Sequence, residues 1–229
     1  MFATSRGQPI LLLMFVASSA LLQSDGVYHQ EGTIGKGHNR EKRLSEGING
    51  FNTEQKSDIL EQHNHFRALT KASNMLKLMW DPQLEHFAQS YAAQCKFEHN
   101  SDRQNVAGFQ YVGENLYAGT GDFDPKAVVQ QWYSEINDYD YSSNTCTPGR
   151  GCGHYTQVVW AKTSAMGCGV TYCPRFNQAR KIGFTEGFLV VCNYGPGGNY
   201  IGEKPYEAGT PCSQCPSGTT CGQGLCASP

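Results

Sequence analysis

Apolar and polar positions divide the chain into a helical first half and a strand-rich second half. From Thr53 to Ala72, residues Ile59, Leu60, His63, Phe66 and Arg67 fall on one face at helical spacing, with Thr53 placed to cap the start. "WDPQLEHFAQSYAAQC" predicts a second helix, in which Asp81 is the N-cap and Pro82 takes the first helical position. Its apolar stripe is Leu84, Phe87, Ala88, Tyr91 and Cys95, ending near "FEHN". A third helix opens the same way, with Asp124 capping, Pro125 starting, and Val128, Val129, Trp132 and Ile136 along one side. After Cys146 the period changes, and "HYTQVVW", "MGCGVTYC" and "GFLVVCNY" read as strands separated by Gly, Pro and polar residues. Helices first and strands later predict an α+β domain over residues 51–209, with helices packed on an antiparallel sheet.

The N-terminal residues follow neither period. Arg6 precedes the apolar run "ILLLMFVASSALL", which reads as a secretory signal over about residues 1–23 and is short for a membrane span. Residues 24–50 are polar and glycine-rich, and they read as a disordered pro-like segment. Within it, "REKR" (Arg40 to Arg43) matches the pattern of furin-type processing enzymes and marks a candidate cleavage after Arg43, equally readable as a solvated charge cluster.

Composition sharpens the compartment. All 10 cysteines lie beyond position 94, and that density is maintained as disulfides in an oxidising, extracellular setting. Four fall in the tail "CSQCPSGTTCGQGLC", too poor in apolar residues to build a core, so crosslinks must hold it; zinc bound by Cys-x-x-Cys pairs is the competing reading there. A net charge of −2 with 17% charged residues gives no footprint for nucleic acid.

Candidate chemistry centres on four residues. His99 lies just past the second helix, Glu114 in a loop between helices, Glu135 on the third helix, and His154 at the start of the first clear strand. Two imidazoles and two carboxylates suit a divalent cation, with the histidines as ligands and the acids holding water or orienting the rings. They equally suit a metal-free hydrogen-bond network. His63, His65 and His86 read as helix-surface or core-edge residues.

"GHYTQVVWAKTS" and "LVVCNYGPGGNY" resemble the two signatures of the CAP superfamily, which comprises cysteine-rich secretory proteins, antigen-five venom allergens and plant pathogenesis-related proteins. "WDPQLEHFAQSYA", "CKFEHN" and "GENLYAG" are similar to that family's other markers, in its order. The resemblance implies an α-β-α sandwich over 51–209 followed by a short cysteine-rich, hinge-like tail over 210–229. It maps the family's cleft of two histidines and two glutamates onto His99, Glu114, Glu135 and His154, with zinc or another divalent ion between the imidazoles. It further implies the pairs Cys95–Cys173, Cys168–Cys192, Cys146–Cys152, Cys212–Cys221 and Cys215–Cys226.

Function is less determined by these features. The resemblance implies a secreted protein that binds an extracellular protein or a lipid, a sterol or a fatty acid, in defence, venom or signalling roles. Tyrosines in "DYDYSSN" and "GFQYVGENLY" are candidates for the rim of an apolar groove, or for ordinary packing. The alternative is a metal-dependent hydrolase in which zinc polarises water and Glu114 or Glu135 acts as general base. Two histidines fall short of the three protein ligands usual in zinc enzymes, which favours binding.

Overall fold

A computed structural model describes residues 48–177 and 183–228. The signal, residues 24–47 of the pro-like segment and the Arg43 cleavage site lie outside the described residues. Residues 48–50, read as the end of that disordered segment, are instead paired with the domain: the Tyr172 amide donates to the Ile48 carbonyl at 2.9 Å and the Gly50 amide to the Val170 carbonyl at 2.8 Å. Helix α1 (Thr53–Leu69) begins one residue earlier than the sequence suggested, because Asn52 and not Thr53 is its cap. The Asn52 side chain accepts from the Gln55 amide at 2.9 Å, and the Gln55 side chain accepts from the Asn52 amide at 3.0 Å. That reciprocal pair satisfies two otherwise orphaned donors. Helix α2 (Pro82–Ala92) and helix α3 (Pro125–Ser134) start as expected, each with an aspartate cap and a proline in its first turn.

The sheet has four strands in the order β1 (Met79–Trp80), β7 (Ala165–Cys173), β8 (Gly187–Gly195), β4 (Gly113–Gly119). Neighbours β7, β8 and β4 are antiparallel, and the two-residue β1 adds a parallel edge. Three short hairpins lie outside it: β2 (Gln104–Val106) with β3 (Phe109–Tyr111), β5 (Tyr139–Asp140) with β6 (Thr145–Cys146), and β9 (Thr220–Gly222) with β10 (Leu225–Ala227).

Both faces of the sheet are covered, and the period of two in β8 shows how. Phe188, Val190, Cys192 and Tyr194 join Ile59, Phe66, Val129, Trp132 and Tyr155 in the larger core, whereas Leu189 and Val191 join Ala88, Tyr91 and Ala92 of α2. Helix α2 therefore forms one outer layer and the remaining helices the other, an α-β-α sandwich. Gly167 and Gly169 on β7 explain the closeness of α2. A Cβ at Gly167 would overlap the backbone of Leu84 and Glu85, and one at Gly169 the backbone of Gln89.

"HYTQVVW" is not a strand. Gly153–Val158 forms the short helix α4, burying Tyr155, Thr156, Gln157 and Val158. A six-residue helix buried on nearly every side shows no polar stripe, so its sequence matches a buried strand equally well. His63 is fully buried rather than at a surface, while His65 and His86 are exposed. Arg67, also fully buried, donates to the carbonyls of Leu76, Val158, Trp160 and Thr163 at 2.6–3.0 Å.

All five disulfides form as the family resemblance implied: Cys95–Cys173, Cys146–Cys152, Cys168–Cys192, Cys212–Cys221 and Cys215–Cys226. Paired sulfurs offer no thiolate, so the zinc reading of the tail gives way to crosslinks. The tail docks on the domain through Leu225, which enters the larger core, and through Cys226, whose amide donates to the Met75 carbonyl at 2.8 Å.

Candidate functional site

Two histidine–glutamate pairs meet strand β4, an edge strand of the sheet, one through Glu114 within it and the other through the Asn115 side chain. Glu114 lies within β4 and not in a loop; glycine and asparagine beside it in "GENLYAG" suggest a turn, but pairing with β8 overrides local preference. Its register partner across the ladder is Asn193. The Glu114 side chain is completely buried, and its Oε1 accepts from His99 Nδ1 at 2.8 Å and from the Asn100 amide at 2.9 Å. Asn193 Nδ2 donates to the Gly113 carbonyl at 3.1 Å and reaches Glu114 Oε2 at 3.4 Å. His99, by contrast, keeps 56% of its side chain exposed.

The second pair is built at a helix junction. Glu135 follows α3 as the first residue of a 3₁₀ turn, Glu135–Asp138, instead of belonging to the helix. Its Oε1 accepts from His154 Nδ1 at 2.6 Å, while its Oε2 accepts from the amides of His154 at 2.9 Å and Tyr155 at 3.2 Å. The carboxylate thus also satisfies open amides in the first turn of α4, where the helix dipole favours negative charge. His154, the second residue of that helix and not a strand start, is 36% exposed in its side chain.

Residues not assigned to the site from sequence hold this pair in place. The Asn115 side-chain amide, one position along β4 from Glu114, donates to the His154 carbonyl at 3.1 Å. The Trp132 ring stacks near His154 with centroids 6.2 Å apart, its own Nε1 held by the Leu116 carbonyl at 3.1 Å. Deeper, Tyr194 donates to His63 Nε2 at 2.9 Å, and His63 Nδ1 donates to the Ile59 carbonyl at 2.7 Å. Burial lowers the His63 pKa to about 4, keeping the ring neutral. Asn193 left one legible sign, a polar residue in an otherwise apolar run. Trp132 was legible as part of the third helix's apolar stripe but not as a neighbour of His154, and Asn115 left no sign, because these roles depend on contacts distant in sequence.

The chemical consequence is the same in both pairs. A carboxylate accepts the Nδ1 hydrogen, which leaves Nε2 as the lone-pair nitrogen, and among the described residues neither Nε2 has a hydrogen-bond partner. That donor set suits a divalent cation held by imidazole nitrogens with carboxylates behind them. Among the described residues, the one group of three or more potential ligand atoms within 4.8 Å of each other is Cys212, Cys215 and Cys226, so His99, Glu114, Glu135 and His154 form two pairs and not a closed cage. Of the tyrosines that read either as a groove rim or as ordinary packing, Tyr139 and Tyr141 are half-buried and packed, Tyr139 against Tyr155 and Tyr141 against Tyr206.

Comparison with known proteins agrees with this architecture. The profile of the family described as "CAP: Cysteine-rich secretory protein family" matches residues 60–194. Human Peptidase inhibitor 16 is 43% identical over 182 residues, covering 78% of this chain and 37% of its own length. The chain therefore spans little more than a third of that relative. Human GLIPR1-like protein 1 is 39% identical over 179 residues, covering 75% of this chain and 71% of its own. The crystal structure of NaASP2 with Zn2+ superposes with a TM-score of 0.61 at 30% identity, over 78% of this chain and 97% of that one. Profile, relatives and layered fold agree, and the chain belongs to the CAP family of cysteine-rich secretory proteins.

Proposed function

We propose that this is an extracellular binding protein whose cleft takes a divalent cation, zinc first among them, through Nε2 of His99 and of His154. The observation that carries this reading is the fixed orientation of both imidazoles by Glu114 and Glu135, the arrangement that protein metal sites use to set tautomer and ring direction. A similarly folded protein, NaASP2, has been crystallised with Zn2+, which supports the choice of ion. Bound there, a cation would supply a positive, water-carrying anchor for a ligand's oxygen atoms. The partner is a lipid, a sterol or fatty acid, or an extracellular protein, and the disulfide-rich chain would enter the secretory route through residues 1–23.

A hydrolase would need one of the two carboxylates as general base. Each already accepts at least two hydrogen bonds of 3.2 Å or shorter, and a base occupied in this way must give up partners before taking a proton from water. Binding without catalysis fits better. Calorimetric titration with zinc of the wild type and of the His99→Ala/His154→Ala double variant tests the site. Strong binding by the wild type alone is expected, and equal affinity in both proteins would refute it. Retention of radiolabelled sterol or fatty acid tests the lipid arm, and capture from the native secretion the protein arm.

A further inference from the structure

The tail holds its two disulfides in an arrangement that the cleft does not explain. Cys212–Cys221 and Cys215–Cys226 both connect the turn around Cys212 and Cys215 to the β9–β10 hairpin. The sulfurs of Cys212, Cys215 and Cys226 lie within 4.8 Å of one another although they belong to different bridges. Cys221 and Cys226 face each other in direct register across the hairpin. The same molecule bridges another directly opposed pair, Cys168 and Cys192, with Cα atoms 4.1 Å apart. Cys212 and Cys215, with two residues between them in "CSQC", have the spacing of a dithiol motif. Each of the four cysteines therefore has a second feasible partner. Accessibility is graded as well, from exposed Cys221 through half-buried Cys212 and Cys215 to buried Cys226.

We propose that this tail is a thiol-triggered disulfide-exchange site, interconverting the resting pairs with Cys212–Cys215 and Cys221–Cys226. A low-molecular-weight thiolate attacks the exposed Cys221 sulfur, forms a mixed disulfide there and expels the Cys212 thiolate. Cys212 attacks the adjacent Cys215 sulfur, breaking Cys215–Cys226, forming Cys212–Cys215 and releasing the Cys226 thiolate. Cys226 attacks Cys221 across the hairpin, forms Cys221–Cys226 and returns the original thiolate. Three bonds form and three break, no net electrons are transferred, and the thiol acts as a catalyst. In the resting form both crosslinks tie the turn to the hairpin; in the exchanged form neither does. The hairpin remains anchored through Leu225 and the Cys226 backbone, and the turn through the Gln214 amide on the Ser73 carbonyl at 2.9 Å, with residues 216–219 joining the two.

Disulfide mapping of the full chain tests this. The protein is incubated with a small amount of reduced glutathione, quenched in acid, alkylated under denaturing conditions and digested. Peptides joined through Cys212–Cys215 and Cys221–Cys226 should accumulate while Cys95–Cys173 and Cys168–Cys192 remain unchanged. Recovery of the resting pairs alone, or glutathione on Cys221 with Cys215–Cys226 intact, would overturn the proposal. In the Cys221→Ser variant, the alkylated thiol should shift from Cys212 to Cys226; label confined to Cys212 would contradict it. The wild-type mapping decides the question even if that variant folds poorly.

Discussion

Glu135 serves His154 twice, taking its ring Nδ1 at 2.6 Å with one carboxylate oxygen and its backbone amide at 2.9 Å with the other. Ring orientation and the start of α4 thus depend on a single side chain. Glu135→Gln preserves shape but places an amide where two carboxylate oxygens now accept. Zinc affinity should fall roughly 10- to 100-fold with a thermal midpoint lowered by only a few degrees. Titration calorimetry and thermal unfolding on the same samples separate the two effects; unchanged affinity would mean that Glu135 serves the helix alone.

The sheet and α2 meet without room for another carbon at Gly169. Gly169→Ala sets a methyl group against Gln89 backbone, which cannot move aside as a side-chain end can. A loss of about 1–3 kcal/mol or more is expected from overpacking. Gly151→Ala, with open space around its added carbon, should leave stability unchanged. Urea unfolding of both variants checks the contrast.

Arg67 holds backbone carbonyls from two segments, with no carboxylate partner among the described residues, and burial lowers its pKa to about 9. Arg67→Met fills similar volume but leaves several buried acceptors unpaired. Each orphaned acceptor costs on the order of 1–3 kcal/mol, so the variant should be recovered largely unfolded. Circular dichroism and secreted yield report this directly.

His63 predicts an acid-sensitive core. The unfolded ring titrates near 6.5, whereas burial keeps the folded ring neutral down to about 4. Between these values the unfolded state binds the extra proton, so stability rises with pH through the window and is lost on acidification, by about 3 kcal/mol in full. Denaturant midpoints should fall from pH 7 to pH 4. His63→Gln should flatten that dependence, and an identical slope in the variant would assign it elsewhere.

Helices α2 and α3 were legible because their aspartate caps and prolines act locally, within one turn of chain. The five cysteine pairs followed from the family resemblance, and the four cleft residues were named by motif before their surroundings were known. Local pattern misplaced three of those four. Glu114 became a strand residue through pairing with β8, Glu135 opened a 3₁₀ turn, and His154 entered a helix whose buried surroundings erased its periodicity. Sequence alone determined what depends on neighbours in the chain: the aspartate caps, the apolar stripes and the donor types available. Tertiary structure decided which carboxylate meets which imidazole, how deep His63 and Arg67 lie, and which sulfurs crowd together. Those outcomes depend on burial and on hydrogen bonds between residues tens of positions apart, and no local period records such distances.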